Sequence, residues 1–124
     1  PEYFDVIVTT NMFGDILSDE AAALVGGLGI AASANFGKNY ALFEPVHGSA
    51  PKHQGKNTVN PVACFFAAVM MLEYLSERQI ADKLHRSILD VMKSNCVTID
   101  LGGHTSSSEV TDEVIKIYKR DYNR

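Results

Sequence analysis

The sequence is short of cysteine, of basic charge and of long apolar runs. Cys64 and Cys96 are the two cysteines among 124 residues, too few for a disulfide framework. Lys and Arg number 11 against 15 Asp and Glu, a net charge of −4. That balance excludes a broad nucleic-acid footprint, which needs a basic face, and it leaves no polybasic patch for a membrane surface. No stretch reaches the roughly 18 consecutive apolar residues of a membrane-spanning helix; residues 62–72 are apolar without a break but stop short. No charged segment followed by an apolar run opens the chain, so no secretory leader is read. A cytoplasmic protein is expected, or a mitochondrial-matrix one in a eukaryote. Neither GxGxxG nor GxxxxGKS/T occurs, so the two best-known glycine-rich nucleotide motifs are absent.

What remains is the composition of an ordinary globular domain, 46% apolar and 21% charged. The chain opens on Pro1 without a methionine and enters a strand-like run at once, which reads as a piece of something longer. Residues 4–10, rich in β-branched side chains, predict a buried strand. Residues 15–25 predict a helix with Phe13, Leu17, Ala21 and Leu24 on its inner face, stopped by Gly26 and Gly27. Residues 30–38 are small and irregular. A second strand is expected over 40–43, then a long loop over 44–60. Asn60 caps a helix with Pro61 at its first position. This helix is apolar nearly all round, hence central, with Cys64 as a core residue. Ser76 to Gln79 fits a capping box for a helix to about Lys93 that turns Ile80, Leu84, Ile88, Val91 and Met92 inward. A short strand over 97–99, a Gly/Ser/Thr loop and a last helix over 108–118 complete an α/β pattern.

Two places carry chemistry. Asp15 and Asp19 stand four residues apart, so a helix sets both carboxylates on one face. Like charges at that spacing repel by a few tenths of a kcal/mol, which a hard divalent cation would offset. Acids near a helix N-terminus also complement the helix dipole without any ligand. The loop Glu44-Pro45-Val46-His47-Gly48-Ser49-Ala50-Pro51 sets a histidine beside small residues that let a ligand approach the backbone. It leads to a helix N-terminus with free N–H donors. Lys52, His53 and Lys56 form a local basic cluster suited to phosphate; a plain structural turn with surface lysines has the same composition.

These segments together resemble the β-decarboxylating dehydrogenases, the isocitrate, homoisocitrate and 3-isopropylmalate dehydrogenases. Asn11-Met12-Phe13-Gly14-Asp15-Ile16-Leu17-Ser18-Asp19-Glu20 is similar to that family's metal segment. Glu44 to Pro51, Gly55-Lys56-Asn57 and Asn60-Pro61 are similar to its cofactor loop. Leu28-Gly29, Ser33-Ala34-Asn35, Met70-Met71-Leu72 and Leu101-Gly102-Gly103 match further positions, so the likeness covers nearly the whole chain.

The resemblance implies an isocitrate/isopropylmalate dehydrogenase-like fold, C-terminal portion only. Residues 1–27 would end the smaller, dimer-forming domain, and 28–124 would belong to the larger cofactor-binding domain. It implies metal-dependent oxidative decarboxylation of a 2-hydroxy acid with a 3-carboxylate, and hydride transfer to NAD or NADP. Isocitrate is the first expectation, 3-isopropylmalate or homoisocitrate the alternatives, and a non-catalytic regulatory subunit another. Asp15 and Asp19 match ligands of Mg²⁺ or Mn²⁺. Glu44 and His47 fall beside the nicotinamide half; Gly48, Ser49, Ala50 and Pro51 run along the cofactor; His53 and Asn60 lie near the adenine. Lys52 stands where NAD-dependent members generally carry Asp, and Lys52-His53 resembles the Lys-Tyr pair of NADP-dependent members, so NADP is expected over NAD. The catalytic tyrosine and lysine, the substrate arginines and a third metal Asp match no segment here. The chain alone is expected to be inactive, and the whole protein to be a homodimer or higher homo-oligomer.

Overall fold

A computed structural model describes residues 3–120. The elements run α1 (Asn11–Val25), β1 (Ala32–Phe36), β2 (Ala41–Pro45), α2 (Val62–Tyr74), α3 (Arg78–Lys93) and α4 (Ser107–Arg120), with short 3-10 turns at Pro51–His53 and Ile99–Leu101. α2 is the middle layer: the β1–β2 hairpin packs on one side of it and α3 on another, and α4 packs on α3. The central position expected for α2 from its apolar circumference is therefore observed. No described helix is long and apolar enough to cross a membrane.

The core is made by helical spacing. Ala81, Ile88 and Val91 of α3, Val110, Val114 and Ile117 of α4, and Val62 and Val69 of α2 form one cluster, spaced along their helices by three, four or seven residues, which keeps each set on one face. Leu84 and Met92 pack at its margin as expected, but Ile80 stays exposed and Ala81 takes the inward place. Cys64, expected in the core, is exposed, because α2 has one stripe that neither the hairpin nor α3 covers.

Other expectations fail for local reasons. Residues 4–10 form no strand: Val6, Ile7 and Val8 are exposed, and the described chain offers them no neighbouring strand to pair with. The helix after them begins at Asn11, and of its apolar residues only Ala22 is buried; Phe13, Ile16, Leu17 and Leu24 are open, Leu24 at 83%. Its 3.6-residue periodicity marks a face but not what covers it. Residues 32–36, read as irregular, form β1, antiparallel to β2 with Ser33 opposite Glu44 and Ala34 opposite Phe43. Phe36, Phe43 and Tyr74 pack with ring centroids 5.6–5.8 Å apart and pin the hairpin to the end of α2. Thr98 and Ile99, expected in a strand, lead into the 3-10 turn.

The capping box forms at a different serine. Ser76 lies in the left-handed region, φ 65°, and closes α2: Glu77 N–H donates to the Leu72 carbonyl and Ser76 N–H to that of Glu73, the Schellman pattern. The box sits at α4 instead. Glu109 accepts from Ser106 N–H at 2.9 Å and from Ser106 Oγ–H at 2.6 Å, while Glu109 N–H donates back to Ser106 Oγ at 3.4 Å. These bonds, the hydroxyl's first, hold the Glu109 carboxyl below its ordinary value of 4.5. A lowered folded value means stability that is present above the unfolded value and lost as pH falls through the folded one. Glu109→Ala is therefore expected to flatten the fall in stability as pH drops below 4.5, checked by denaturant unfolding across a pH series; an unchanged slope would contradict the box.

Candidate functional site

Two concavities meet at His47. One, about 410 Å³, lies between the loop after β2 and the 3-10 turn at Ile99–Leu101. His47, Gly48, Ser49, Ala50, His53 and Asn60 line it, all expected from sequence. Gly29, Thr58, Val59, Ile99 and Asp100 line it as well, and none of these was nominated by sequence. The other is an open groove of about 780 Å³ between α1 and the hairpin. Asp15, Ser18, Ala22 and Val25 form its helical wall; Ser33, Asn35, Glu44 and His47 face them. The structure thus brings Asp15, Glu44 and His47 to one groove. Asp19, one turn on, is exposed and outside that lining. Pro51 and Lys52 sit exposed on the 3-10 turn between the lining residues Ala50 and His53, not in the lining itself.

The loop is held by its backbone and leaves its donors free. His53 N–H donates to Ala50 O at 2.9 Å and Lys56 N–H to His53 O at 3.1 Å, closing two tight turns. Ala50 and Asn57 take positive φ, 44° and 56°. Asn57 ties the loop to α4: its carbonyl accepts from Ser107 N–H at 3.0 Å, its Oδ1 from Ser108 N–H at 3.0 Å, and its Nδ2 donates to Ser108 Oγ at 2.7 Å. Ser107 Oγ also donates to the Val59 carbonyl. The N–H groups of Gly48, Ser49 and Ala50 donate to no described carbonyl. His47 Nδ1 lies 2.9 Å from Gly48 O; a carbonyl only accepts, so the proton is on Nδ1 and Nε2 is left over.

Asn60 forms the floor. It is 8% exposed, and its Oδ1 accepts from Val62 N–H at 3.0 Å; the helix begins one residue later than expected, with Pro61 at its N-cap rather than at its first position. Its Nδ2 donates to Asp100 Oδ2 at 3.0 Å, and Thr98 Oγ1 donates to Asp100 Oδ1 at 2.5 Å. The backbone of Gly29 passes close by, its carbonyl accepting from Ala63 N–H at 3.1 Å. A Cβ at Gly29 would clash with Asp100 Oδ2 and lie 3.2 Å from Asn60 Cβ. At Gly48 a Cβ would meet nothing within 4 Å, so the space before it is open to a ligand. Asp100 escaped notice because residues 97–99 read as a strand; the Gly29 approach leaves no trace in composition.

The donor chemistry suits the expected groups. A pocket of 410 Å³, floored by a buried amide and walled by glycine, serine and alanine, is within the range of small-ligand sites. Asp15 and Asp19 offer the hard oxygens that Mg²⁺ or Mn²⁺ prefers, though they are two donors, and among the described residues no group of three His, Cys, Asp or Glu could hold a metal.

The family model described as isocitrate/isopropylmalate dehydrogenase matches residues 1–114. A 3-isopropylmalate/3-methylmalate dehydrogenase of Methanocaldococcus jannaschii is 53% identical over 116 residues, 94% of this chain and 35% of the relative. An isocitrate dehydrogenase [NADP] of Thermus thermophilus is 51% identical over 113 residues, 90% of this chain and 23% of the relative. The crystal structure of isocitrate dehydrogenase from Methylococcus capsulatus superposes with a TM-score of 0.90 at 43% identity, over 96% of this chain and 36% of that one. The chain thus spans between about a quarter and about a third of the length of these relatives. Gly29→Ala is expected to lower the melting temperature of the intact protein, and Gly48→Ala to leave it unchanged. Equal shifts would contradict the packing at the pocket floor.

Proposed function

The chain belongs to the isocitrate/isopropylmalate dehydrogenase family, and on that footing we propose that the intact protein oxidises and decarboxylates a 2-hydroxy acid bearing a 3-carboxylate, with NADP as hydride acceptor. Isocitrate is the first substrate, and 3-isopropylmalate the second reading, favoured by the 53% identity to an enzyme so named; homoisocitrate completes the set. The observation that carries the proposal is the meeting of the two concavities at His47, with Asp15 and Glu44 in one and the loop Gly48 to His53 in the other.

In this reading the adenosine half of the cofactor lies over Asn60 and His53, and its backbone-facing middle follows Gly48, Ser49 and Ala50, whose N–H groups are free to donate. The nicotinamide half turns into the groove past His47 and Glu44. Lys52 beside Ala50 and His53 places an ammonium where a 2′-phosphate is attracted and where Asp would repel it. Asp15 and Asp19 would supply two of the oxygen ligands of Mg²⁺ or Mn²⁺, and the cation would serve there to polarise the substrate hydroxyl and offset the negative charge left by departing CO₂. The hydroxyl proton and the C2 hydride leave to form the ketone, the bond to the 3-carboxylate then breaks, and the remaining carbon takes up a proton. The groups that move these protons are assigned to parts of the protein outside this chain, so residues 1–124 alone would be inactive.

The division into residues 1–27 and 28–124 is proposed with it: among the described residues α1 leans on no other helix or strand, whereas the elements after it share one core. The open apolar side of α1, with Phe13, Ile16, Leu17 and Leu24, is the surface proposed for a second copy in a homodimer.

The test is turnover by the intact protein with Mg²⁺ or Mn²⁺, each acid, and NAD or NADP, followed by reduced-cofactor absorbance. Isocitrate with NADP is the expected pair. Lys52→Asp is expected to lower kcat/KM for NADP by about 10- to 100-fold, the loss of one charge-assisted contact, and to favour NAD. A variant that keeps its NADP preference would contradict the assignment of Lys52. A folded protein inactive with every pair would favour the regulatory-subunit reading.

A further inference from the structure

We propose that Asn57 is a positioning residue for the cofactor: by locking onto the start of α4 it sets the conformation of the loop before it. The proposal rests on the cofactor lying along that loop, as proposed above. Among the described residues, no hydrogen bond runs from residues 47–56 to another segment of the chain. The stretch is held at its two ends. Val46 N–H donates to Ala31 O at 3.0 Å at one end, and Asn57 is fixed at the other. Everything the loop offers a ligand, from His47 to Lys56, hangs between these two points.

The contact at Asn57 is directional. Its Oδ1 accepts from Ser108 N–H at 3.0 Å, and its Nδ2 donates to Ser108 Oγ at 2.7 Å. A backbone N–H only donates, so the amide is held in one orientation. The Asn57 backbone sits at φ 56°, and its carbonyl accepts from Ser107 N–H at 3.0 Å. Ser108 is supported in turn. Having accepted from Asn57, its hydroxyl is left to donate to Ser106 Oγ at 3.3 Å, and Ser106 Oγ–H donates to Glu109 at 2.6 Å. Every donor in this chain points toward one carboxylate, an order in which each bond strengthens the next.

A loop pinned in this way holds its binding conformation before the cofactor arrives. Without the pin that conformation is a fraction of the free population, and the apparent affinity falls by the same fraction. A pin that served stability alone would change the melting temperature and leave binding by the folded protein as it was. Two substitutions separate these roles. Asn57→Gly tolerates the positive φ and keeps the carbonyl bond, but removes both side-chain bonds. Asn57→Asp keeps the lock: one carboxylate oxygen accepts from Ser108 N–H, and the other accepts from Ser108 Oγ, whose hydroxyl turns to donate.

The experiment titrates NADPH and NADH into the intact protein by calorimetry, and measures melting temperature, kcat and cofactor KM. Asn57→Gly and Ser108→Ala are each expected to weaken the reduced cofactor that the wild type binds by about tenfold. The KM for the matching oxidised cofactor is expected to rise by the same factor, with kcat at saturation nearly unchanged. Asn57→Asp is expected to bind as the wild type does. A variant without the side-chain bonds that still binds at wild-type strength, whatever its melting temperature, would overturn the positioning role and leave the dehydrogenase reading intact. So would an Asn57→Asp protein as weak as Asn57→Gly, or a loss that falls on kcat with KM unmoved. A wild-type protein that binds neither nucleotide would overturn the cofactor reading and this proposal with it.

Discussion

The start of α2 depends on one buried amide, and the site is arranged around that dependence. The first N–H groups of a helix have no partner within it, and here they face inward, beneath the loop that carries His47 to His53. Asn60 satisfies Val62 N–H from the side, and Pro61 removes one donor outright. With the cap set, Nδ2 must point away from the helix, toward Asp100. One requirement of helix chemistry thus fixes the floor of the pocket, joins two segments forty residues apart, and leaves Gly29 as the residue whose backbone fits between them.

The rest of the loop is braced from the opposite end. Asn57 occupies a left-handed conformation and commits its carbonyl, its Oδ1 and its Nδ2 to Ser107 and Ser108. The N-terminus of α4 is in turn closed by Ser106 and Glu109. Pocket-facing residues 48–50 therefore hang between two capped helix starts, with their own N–H groups uncommitted. That division of labour suits a ligand-binding loop: stiff anchors, and donors left over. Across the groove, α1 differs in kind. It is helical by its own hydrogen bonds, and its apolar residues await a surface that the described elements do not supply.

The helices were legible because their apolar residues recur at a period that the core then uses, as Ile88, Val91, Val114 and Ile117 do. The antiparallel hairpin was half legible. Tyr40 to Phe43 has strand composition, but β1 is Ala, Ser and Asn for most of its length, residues poor in strand preference; its pairing with β2 decides its conformation. Residues 4–10 show the converse, with strand composition and no partner strand among the described residues. Ser76 and Ser106 carry the same spaced pattern, yet only the second makes a capping box, since Ser76 is taken up in closing α2. In the candidate site, the loop residues that line the pocket were readable from residue types in order. Gly29 and Asp100 were not, because what qualifies them is a distance across the fold. The pairing of Asp15 with Asp19 was read from helical spacing, and the groove lining includes the first without the second.

The central claim is that the loop pocket beneath His47 receives the adenosine half of a nicotinamide cofactor. Hydrogen exchange of the intact protein, with and without saturating NADPH, tests it most directly. The account predicts protection confined largely to residues 47–60 and 98–101, with the amides of Gly48, Ser49 and Ala50 slowed most, and little change in the α3 and α4 core. Binding of NADPH that leaves those loop amides exchanging as in the free protein would contradict it.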